Sequence, residues 1–438
     1  MTESTHTALA SEGEMTTTPS RRGFLKTAAR AAAVIGAPLI VPASALGRNG
    51  QTPPSERITV GGLGIGPRGR TDLACFLSER DAQFIAVCDA QKSRREIVKR
   101  TVDGHYQNTD CESLRHPDEL LHRDDIDAVL IATGDRWHTM ASILAARAGK
   151  DIYCEKPCSM TIEESLALAD TIQRYGRIYQ AGTQRRTIPN FKFAVDLVHT
   201  GKLGRLHTMH AHTLSPAATR EWLPEAPLPG KEEVDWDLWL GPAPWRPYNP
   251  TYVAGGWRDH YDLHSGGFLE WGAHTVDLCQ WANQSEDTAP VYYEPWGTSV
   301  TATYANGVKL QMRDRDTGWL GLGTCPVRFE GDEGWIETGD SGKFAVYPES
   351  LRSELAVPEM AGTDPRHHVR QFLDSVRTRQ ACSANEKVAS QSHIASHAAT
   401  IAWRIGEDLR FDPVKNEFSG HEIANRYLSR AVREPWRI

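Results

Sequence analysis

Apolar residues in this chain come in short strand-length runs, separated by stretches of helical period. Ile58-Thr59-Val60-Gly61-Gly62-Leu63 predicts a first strand, followed by a helix of mixed polarity to about Glu79. Phe84–Cys88 predicts a second strand ending at Asp89, and Ile126–Thr133 is apolar throughout, as a strand buried on both faces of a parallel sheet should be. His138–Ala148 has helical spacing and Asp151–Cys154 reads as another strand. Thr161 with Glu164 has the capping-box pattern for a helix reaching Tyr175, and Ile178–Gly182 closes the series. Strands alternating with helices at this spacing predict a doubly wound parallel sheet, an α/β domain over residues 57–186.

From about Thr187 the pattern changes. A helix to His199 is followed by β-type segments at Leu206–Thr213, Val291–Tyr304, Val308–Arg313 and Val327–Glu337. Helices are expected near Phe268–Trp281, His367–Arg379 and Asn385–Asp408. Residues 187–438 therefore read as an α+β domain with an open-faced, mainly antiparallel sheet. Two domains suit a chain of 438 residues. Many of its 13 tryptophans sit between Trp222 and Trp296, where indoles in a core are the commoner explanation and sugar-stacking surface the other.

The first residues read as a targeting segment. Ser20-Arg21-Arg22-Gly23-Phe24-Leu25-Lys26 is a twin-arginine pattern, an apolar stretch runs from Ala31 to Val41, and Ala43-Ser44-Ala45 offers a cleavage site. Residues 1–45 are expected to address the chain to the twin-arginine export machinery, with a polar linker over residues 46–56. The apolar stretch is too short for a membrane span and no Cys follows it, so no stable membrane anchor is expected. A periplasmic or otherwise exported location follows.

A formal net charge of −7, with the signs interspersed, argues against nucleic acid or anionic membrane as the main partner. The eight cysteines form no CxxC pair, and no Cys/His spacing suits a metal, so buried thiols and no metal are expected.

Gly64-Ile65-Gly66-Pro67-Arg68-Gly69 follows a strand, opens a helix, and has an acidic residue, Asp89, 20 positions after Gly69. That context defines a dinucleotide-binding turn. Gly64 permits the tight turn, Gly66 the approach of pyrophosphate and Gly69 close helix–strand packing. Asp89 would accept hydrogen bonds from the ribose hydroxyls and repel a 2′-phosphate, favouring NAD, and nearby Lys92, Arg94 and Arg95 keep NADP as second candidate.

Glu155-Lys156-Pro157, preceded by Thr133-Gly134-Asp135-Arg136-Trp137-His138 and followed by Gly182-Thr183-Gln184-Arg185-Arg186 and Gly266-Gly267-Phe268-Leu269-Glu270-Trp271-Gly272-Ala273-His274, resembles the glucose–fructose oxidoreductase/inositol dehydrogenase/rhizopine catabolism (Gfo/Idh/MocA) family. The resemblance runs from Arg57 to Trp436 in the family's motif order. It implies a Rossmann domain followed by an open-faced sheet domain, a cofactor held by Ile65, Arg68, Thr133, Trp137, His138, Glu155, Lys156 and Gln184 besides the glycines and Asp89, and a homo-dimer or homo-tetramer. It places Lys156 beside nicotinamide and substrate, where an ammonium can steady alkoxide-like charge.

Glu270 and His274, four apart on a helix, would share a face as a proton-abstracting pair, although the family pattern has aspartate where Glu270 stands. Arg185, Arg186, Tyr248, Trp257, Arg258 and His274 are candidates for binding substrate hydroxyls. The expected activity is hydride transfer from a secondary hydroxyl of a sugar, glycoside or cyclitol to a tightly bound NAD. The alternative is an NAD-dependent glycoside hydrolase or lyase that oxidises its sugar transiently, eliminates, and re-reduces. A non-catalytic sugar-binding module is disfavoured by the complete set of residue types.

Overall fold

The computed structural model describes residues 52–216, 221–258, 260–314, 318–354 and 364–437. The twin-arginine segment and most of the linker lie outside them. From Glu56 onward the chain forms one compact unit.

The N-terminal sheet contains β1 (Ile58–Leu63), β2 (Ala82–Cys88), β3 (Glu112–Leu114), β4 (Ala128–Ile131), β5 (Asp151–Cys154) and β6 (Tyr179–Ala181). All pair in parallel, in the order β3-β2-β1-β4-β5-β6, which is the predicted doubly wound sheet. Its inner strands β4 and β5 are buried on both faces, as the unbroken apolar run of β4 and the Ile152–Cys154 stretch of β5 require. Thr161 caps the helix Ile162–Tyr175 by accepting from the Glu164 N–H, at 3.1 Å. The reciprocal half of the capping box is missing: the Glu164 carboxylate is spent on the Met160 N–H and the Thr139 hydroxyl.

The second sheet adds β7 (Leu206–His212), β8 (Tyr292–Trp296), β9 (Ser299–Thr303), β10 (Lys309–Arg313), β11 (Val327–Gly331), β12 (Trp335–Thr338), β13 (Phe344–Tyr347), β14 (Leu409–Asp412) and β15 (Glu417–Phe418). Their order is β13-β12-β11-β7-β10-β9-β8-β14-β15, antiparallel except for β7 beside β10. Two expected single segments are hairpins here. Val291–Tyr304 folds at Gly297, which takes a positive φ of 56°, and Val327–Glu337 reverses between Gly331 and Trp335. Met209 and Ala211 point into the core with the helices Pro189–His199, Gly267–Ala282 and Glu386–Ile405, while His210 alternates to the other face.

The helix Arg366–Thr378 returns across the chain and packs Val369, Phe372 and Leu373 into the core of the N-terminal sheet. Trp236 and Trp239 are buried and stacked, centroids 4.8 Å apart, whereas Trp222 and Trp245 are exposed. All eight cysteines are buried, unlinked thiols. Among the described residues no helix is long and apolar enough to cross a membrane.

Candidate active site

A cavity of about 400 Å³ opens at the C-terminal ends of β1, β2 and β4. Gly64, Gly66, Arg68, Asp89, Thr133 and Trp137 line it, as the sequence predicts. Gly64 has φ 66°, and a Cβ there would collide with the Thr133 side chain. A Cβ on Gly69 would come within 2.5 Å of Ala132 Cβ, so the glycine does set helix–strand packing. The helix Pro67–Ser78 has no side-chain cap at Gly66, leaving its first N–H groups for an anion. Asp89 Oδ1 accepts from the Gln91 N–H at 2.8 Å, and burial pushes the carboxyl up to about 6 against that bond, Arg94, Arg95 and Arg136. These residues fit a dinucleotide.

The far wall was not legible in the sequence. Residues 230–258 cross over the cavity as a strap, contributing Leu238, Trp239, Val253, Ala254, Gly255, Trp257 and Arg258 to its lining. The strap is tied to the N-terminal domain at many points. The Asp235 N–H donates to Ala90 O (2.9 Å), Arg94 Nη2 to Val253 O (3.0 Å), Arg136 Nε to Trp239 O (2.8 Å) and Trp137 Nε1 to Leu238 O (3.0 Å). The C-terminal tail fastens it further, with Arg433 Nε donating to Gly241 O and Ala243 O and the Trp436 ring edge-on to Trp137.

At the cavity's edge, beyond Arg258, stands a charged cluster. Lys156 Nζ donates to the Glu270 carbonyl at 2.7 Å and lies 3.6 Å from its Oε1. Arg258 Nε lies 3.8 Å from the same oxygen, and His264 Nε2 meets Glu270 Oε2 at 3.1 Å. Burial alone would raise the Glu270 carboxyl, but Lys156, His264 and Arg258 hold it well below the usual carboxylate range. Asp135 closes the cluster, its Oδ2 accepting from Ser265 N and Oγ at 3.0 Å and lying 3.9 Å from His264 Nε2. Asp135, His264 and Glu270 gather ligand-type atoms within 4.8 Å of one another, a grouping the sequence did not reveal. Here Lys156 and Arg258 already supply Glu270 with positive charge.

Several expectations need correction. The imidazole against Glu270 is His264, in the loop before the helix Gly267–Ala282, and not His274. His274 is buried with Nδ1 unpartnered among the described residues, and burial, aided by Arg185, Lys156 and Arg68, keeps it neutral far below the ordinary histidine range. Arg185 and Arg186, expected to bind substrate hydroxyls, are instead engaged by buried and half-buried carboxylates. Arg185 forms a two-pronged pair with Asp340 (2.6 and 3.0 Å), and Arg186 binds Asp277 and Glu286. Tyr248 packs edge-on to Trp236 in an apolar cluster with Tyr252 and Leu263.

His138 turns inward, its Nδ1 bonding the Pro157 carbonyl at 2.7 Å, which fixes the turn after Lys156. Glu155 is buried and accepts from Arg68 Nε at 3.0 Å. Gln184 is buried against Arg68 and Gly182, and Ile65 sits in the core beneath the turn.

A Rossmann sheet with a glycine turn, and a second sheet domain whose helix brings a carboxylate to a strand-end lysine, define an NAD-dependent oxidoreductase of two-domain type. Residues 57–183 match the oxidoreductase family's NAD-binding Rossmann fold, and residues 217–438 match its C-terminal alpha/beta domain. The chain belongs to the Gfo/Idh/MocA oxidoreductase family.

It is 29% identical over 308 residues to the uncharacterized oxidoreductase YrbE of Bacillus subtilis (strain 168), covering 69% of this chain and 72% of that one. It is 34% identical over 129 residues to an alpha-N-acetylgalactosaminidase of Shewanella oneidensis, 28% of this chain and 27% of that one. The fold resembles that of the WlbA dehydrogenase from Bordetella pertussis, solved with NADH and UDP-GlcNAcA. The TM-score is 0.61 at 14% identity, covering 81% of this chain and 99% of that one.

Proposed function

We propose that this protein oxidises a secondary hydroxyl of a sugar, glycoside or cyclitol by hydride transfer, with NAD enclosed beneath the strap. The observation that carries the reading is the Lys156 ammonium held against Glu270 at the edge of the cavity. NAD, when bound, accepts the hydride. Lys156 hydrogen-bonds the reacting oxygen and steadies its growing negative charge. Glu270, kept ionised, aims the ammonium, and His264, paired with the same carboxylate, is the imidazole that takes the hydroxyl proton. Trp257 and Arg258, which line the cavity, bind substrate hydroxyls in this reading. The open face of the second sheet is the surface through which copies of the chain associate.

Asp89 holds the adenosine ribose in this reading. Asp89→Ala is expected to weaken NAD binding by about 1–3 kcal/mol, the cost of buried hydrogen bonds lost, and to narrow the preference over NADP. Calorimetry on nucleotide-free protein reads both constants. Tighter binding of NADP than NAD before mutation would remove Asp89 from the role.

The protein works, we propose further, outside the cytoplasm after twin-arginine export, where released NADH has no pool to re-oxidise it. The strap and its tail fastening support a slow off-rate, the step in which most affinity differences lie. Protein purified without added nucleotide should then carry NAD(H) through gel filtration, and its cycle closes only if the reaction is redox-neutral overall or a second, carbonyl substrate takes the hydride back from the bound cofactor. Absorbance and mass analysis of the denatured supernatant, then turnover counting without external NAD, make the test. An empty protein consuming NAD stoichiometrically would end the closed cycle and leave the oxidoreductase reading standing.

Enclosure also favours a second reading: glycoside cleavage by transient oxidation, elimination at the adjacent carbon and re-reduction. The similarity to the alpha-N-acetylgalactosaminidase is compatible with it. Glycoside cleavage without net NADH would separate the two.

A further inference from the structure

The cavity holds one cation for which the glycine turn and its acidic partner give no reason. Arg136, in the first turn of the helix Asp135–Arg147, is only 4% exposed and lines the cavity beneath the strap. Its guanidinium lies 3.5 Å from the Trp239 ring centroid and 6.0 Å from that of Trp257. Nε is satisfied by the Trp239 carbonyl, but Nη1 is buried with no hydrogen-bond partner among the described residues.

A buried charged N–H without an acceptor is costly, and stacking on Trp239 steadies the charge without giving Nη1 an acceptor. Burial brings the group down to about 9, against the pull of Asp135 and Asp89. Both carboxylates already serve other donors: Ser265 for Asp135, the Gln91 N–H for Asp89.

Gly134 supplies the second observation. Its φ of −85° suits any residue, so the backbone does not demand glycine there. Space does: a Cβ on Gly134 would collide with Arg136 Nη1. The guanidinium folds back over Gly134 in the turn after β4, and Thr133 of the same turn packs against Gly64 in the lining of the same cavity. A glycine that makes room for a buried, half-satisfied arginine belongs to a site built for an anion.

We infer that Arg136 anchors the cofactor, its Nη1 donating to the pyrophosphate of the dinucleotide, and that Gly134 is the residue that lets it reach. The inference rests on the reading that this cavity holds NAD, and it makes Arg136 a binding residue opposite the glycine turn. The pyrophosphate is then gripped from two sides, by backbone N–H groups and by a side chain that the strap clamps in place. A charge-assisted bond of this kind is lost as a unit when the guanidinium is removed.

The test is calorimetry on the nucleotide-freed full chain with NAD, ADP and adenosine as probes. Arg136→Met should weaken NAD and ADP by about 10- to 100-fold, flatten their salt dependence, and leave adenosine unchanged. Gly134→Ala keeps the arginine and its Trp239 bond but displaces Nη1. It should weaken NAD and ADP in the same direction without lowering the Tm of the nucleotide-free protein. Should Arg136→Met fail to fold, Gly134→Ala decides alone.

Wild-type affinity for NAD in every folded variant would overturn the inference and leave the proposed function intact. Equal losses for adenosine and NAD would overturn it too, because they would report a collapsed cavity. A wild-type protein that binds neither NAD nor ADP would bring down the functional reading and this inference together.

Discussion

Lys156→Ala is expected to slow turnover by about 10²–10⁴-fold while leaving NAD bound, the range for a group that moves a proton or steadies charge in the transition state. The position of the side chain separates the two effects. Lys156 is not among the residues lining the dinucleotide cavity, so cofactor contacts survive its removal. Its ammonium is instead fixed by the Glu270 carbonyl and carboxylate, and in the proposed reaction it is the donor to the reacting oxygen. The fold should tolerate the change, because His264 and Arg258 still face the carboxylate that the lysine leaves behind. Single-turnover hydride transfer on a confirmed substrate, with bound NAD measured separately, reads the effect. An unchanged kcat would sink the role whatever happened to KM.

What could be read in the sequence followed from how local the determining physics is. The turn at Gly64–Gly69, its strand and Asp89 lie close together in the chain, and the structure returns them as one cavity wall. Lys156 could be assigned to a strand end because β5 carries Ile152, Tyr153 and Cys154 in succession and stops before Glu155.

The arginines misled for the opposite reason. Asp340, which neutralises Arg185, is 155 residues away, and Asp277, which neutralises Arg186, is 91 away. Nothing in the spacing of two adjacent arginines says that both are already paired. His264 escaped because it lies outside the helix whose periodicity drew attention to His274. Its only signal was its position six residues before Glu270, in a loop long enough to fold back. The strap escaped too: its contacts to Ala90, Arg94 and Arg136 come from two helices of five residues, Trp236–Leu240 and Tyr252–Gly256, and the Asp235 cap of the first, too short to leave a period in the sequence.

Acid should unfold this protein early. His274, His368, His393 and His397 are all buried, and burial lowers each: His368 and His393 to about 4, the other two well below the ordinary 6.5. The hydrogen bonds explain why two of them resist a proton. His393 Nδ1 bonds the Ala389 carbonyl at 2.6 Å and Nε2 accepts from the Cys158 N–H at 2.9 Å, so a second ring proton would face a donor. His368 gives Nε2 to the Ala181 carbonyl and buries Nδ1 without an acceptor.

As pH falls below 6.5 the unfolded chain takes up protons that the folded chain refuses, so stability is full above that pH and drains toward pH 4. Each histidine costs about 2 kcal/mol by pH 5. Buried carboxyls oppose the loss, since Asp89 (raised to about 6), Asp72 and Asp277 bind protons more readily when folded. These groups return part of what the four histidines cost between pH 7 and 5. The histidine cost is comparable to the whole stability of many domains. Denaturant titrations at pH 7, 6 and 5 with NAD held saturating should show the midpoint falling steeply while the slope stays constant. A midpoint that holds or rises toward pH 5 would mean that the histidines titrate in the folded state, and the buried, neutral assignment would be lost.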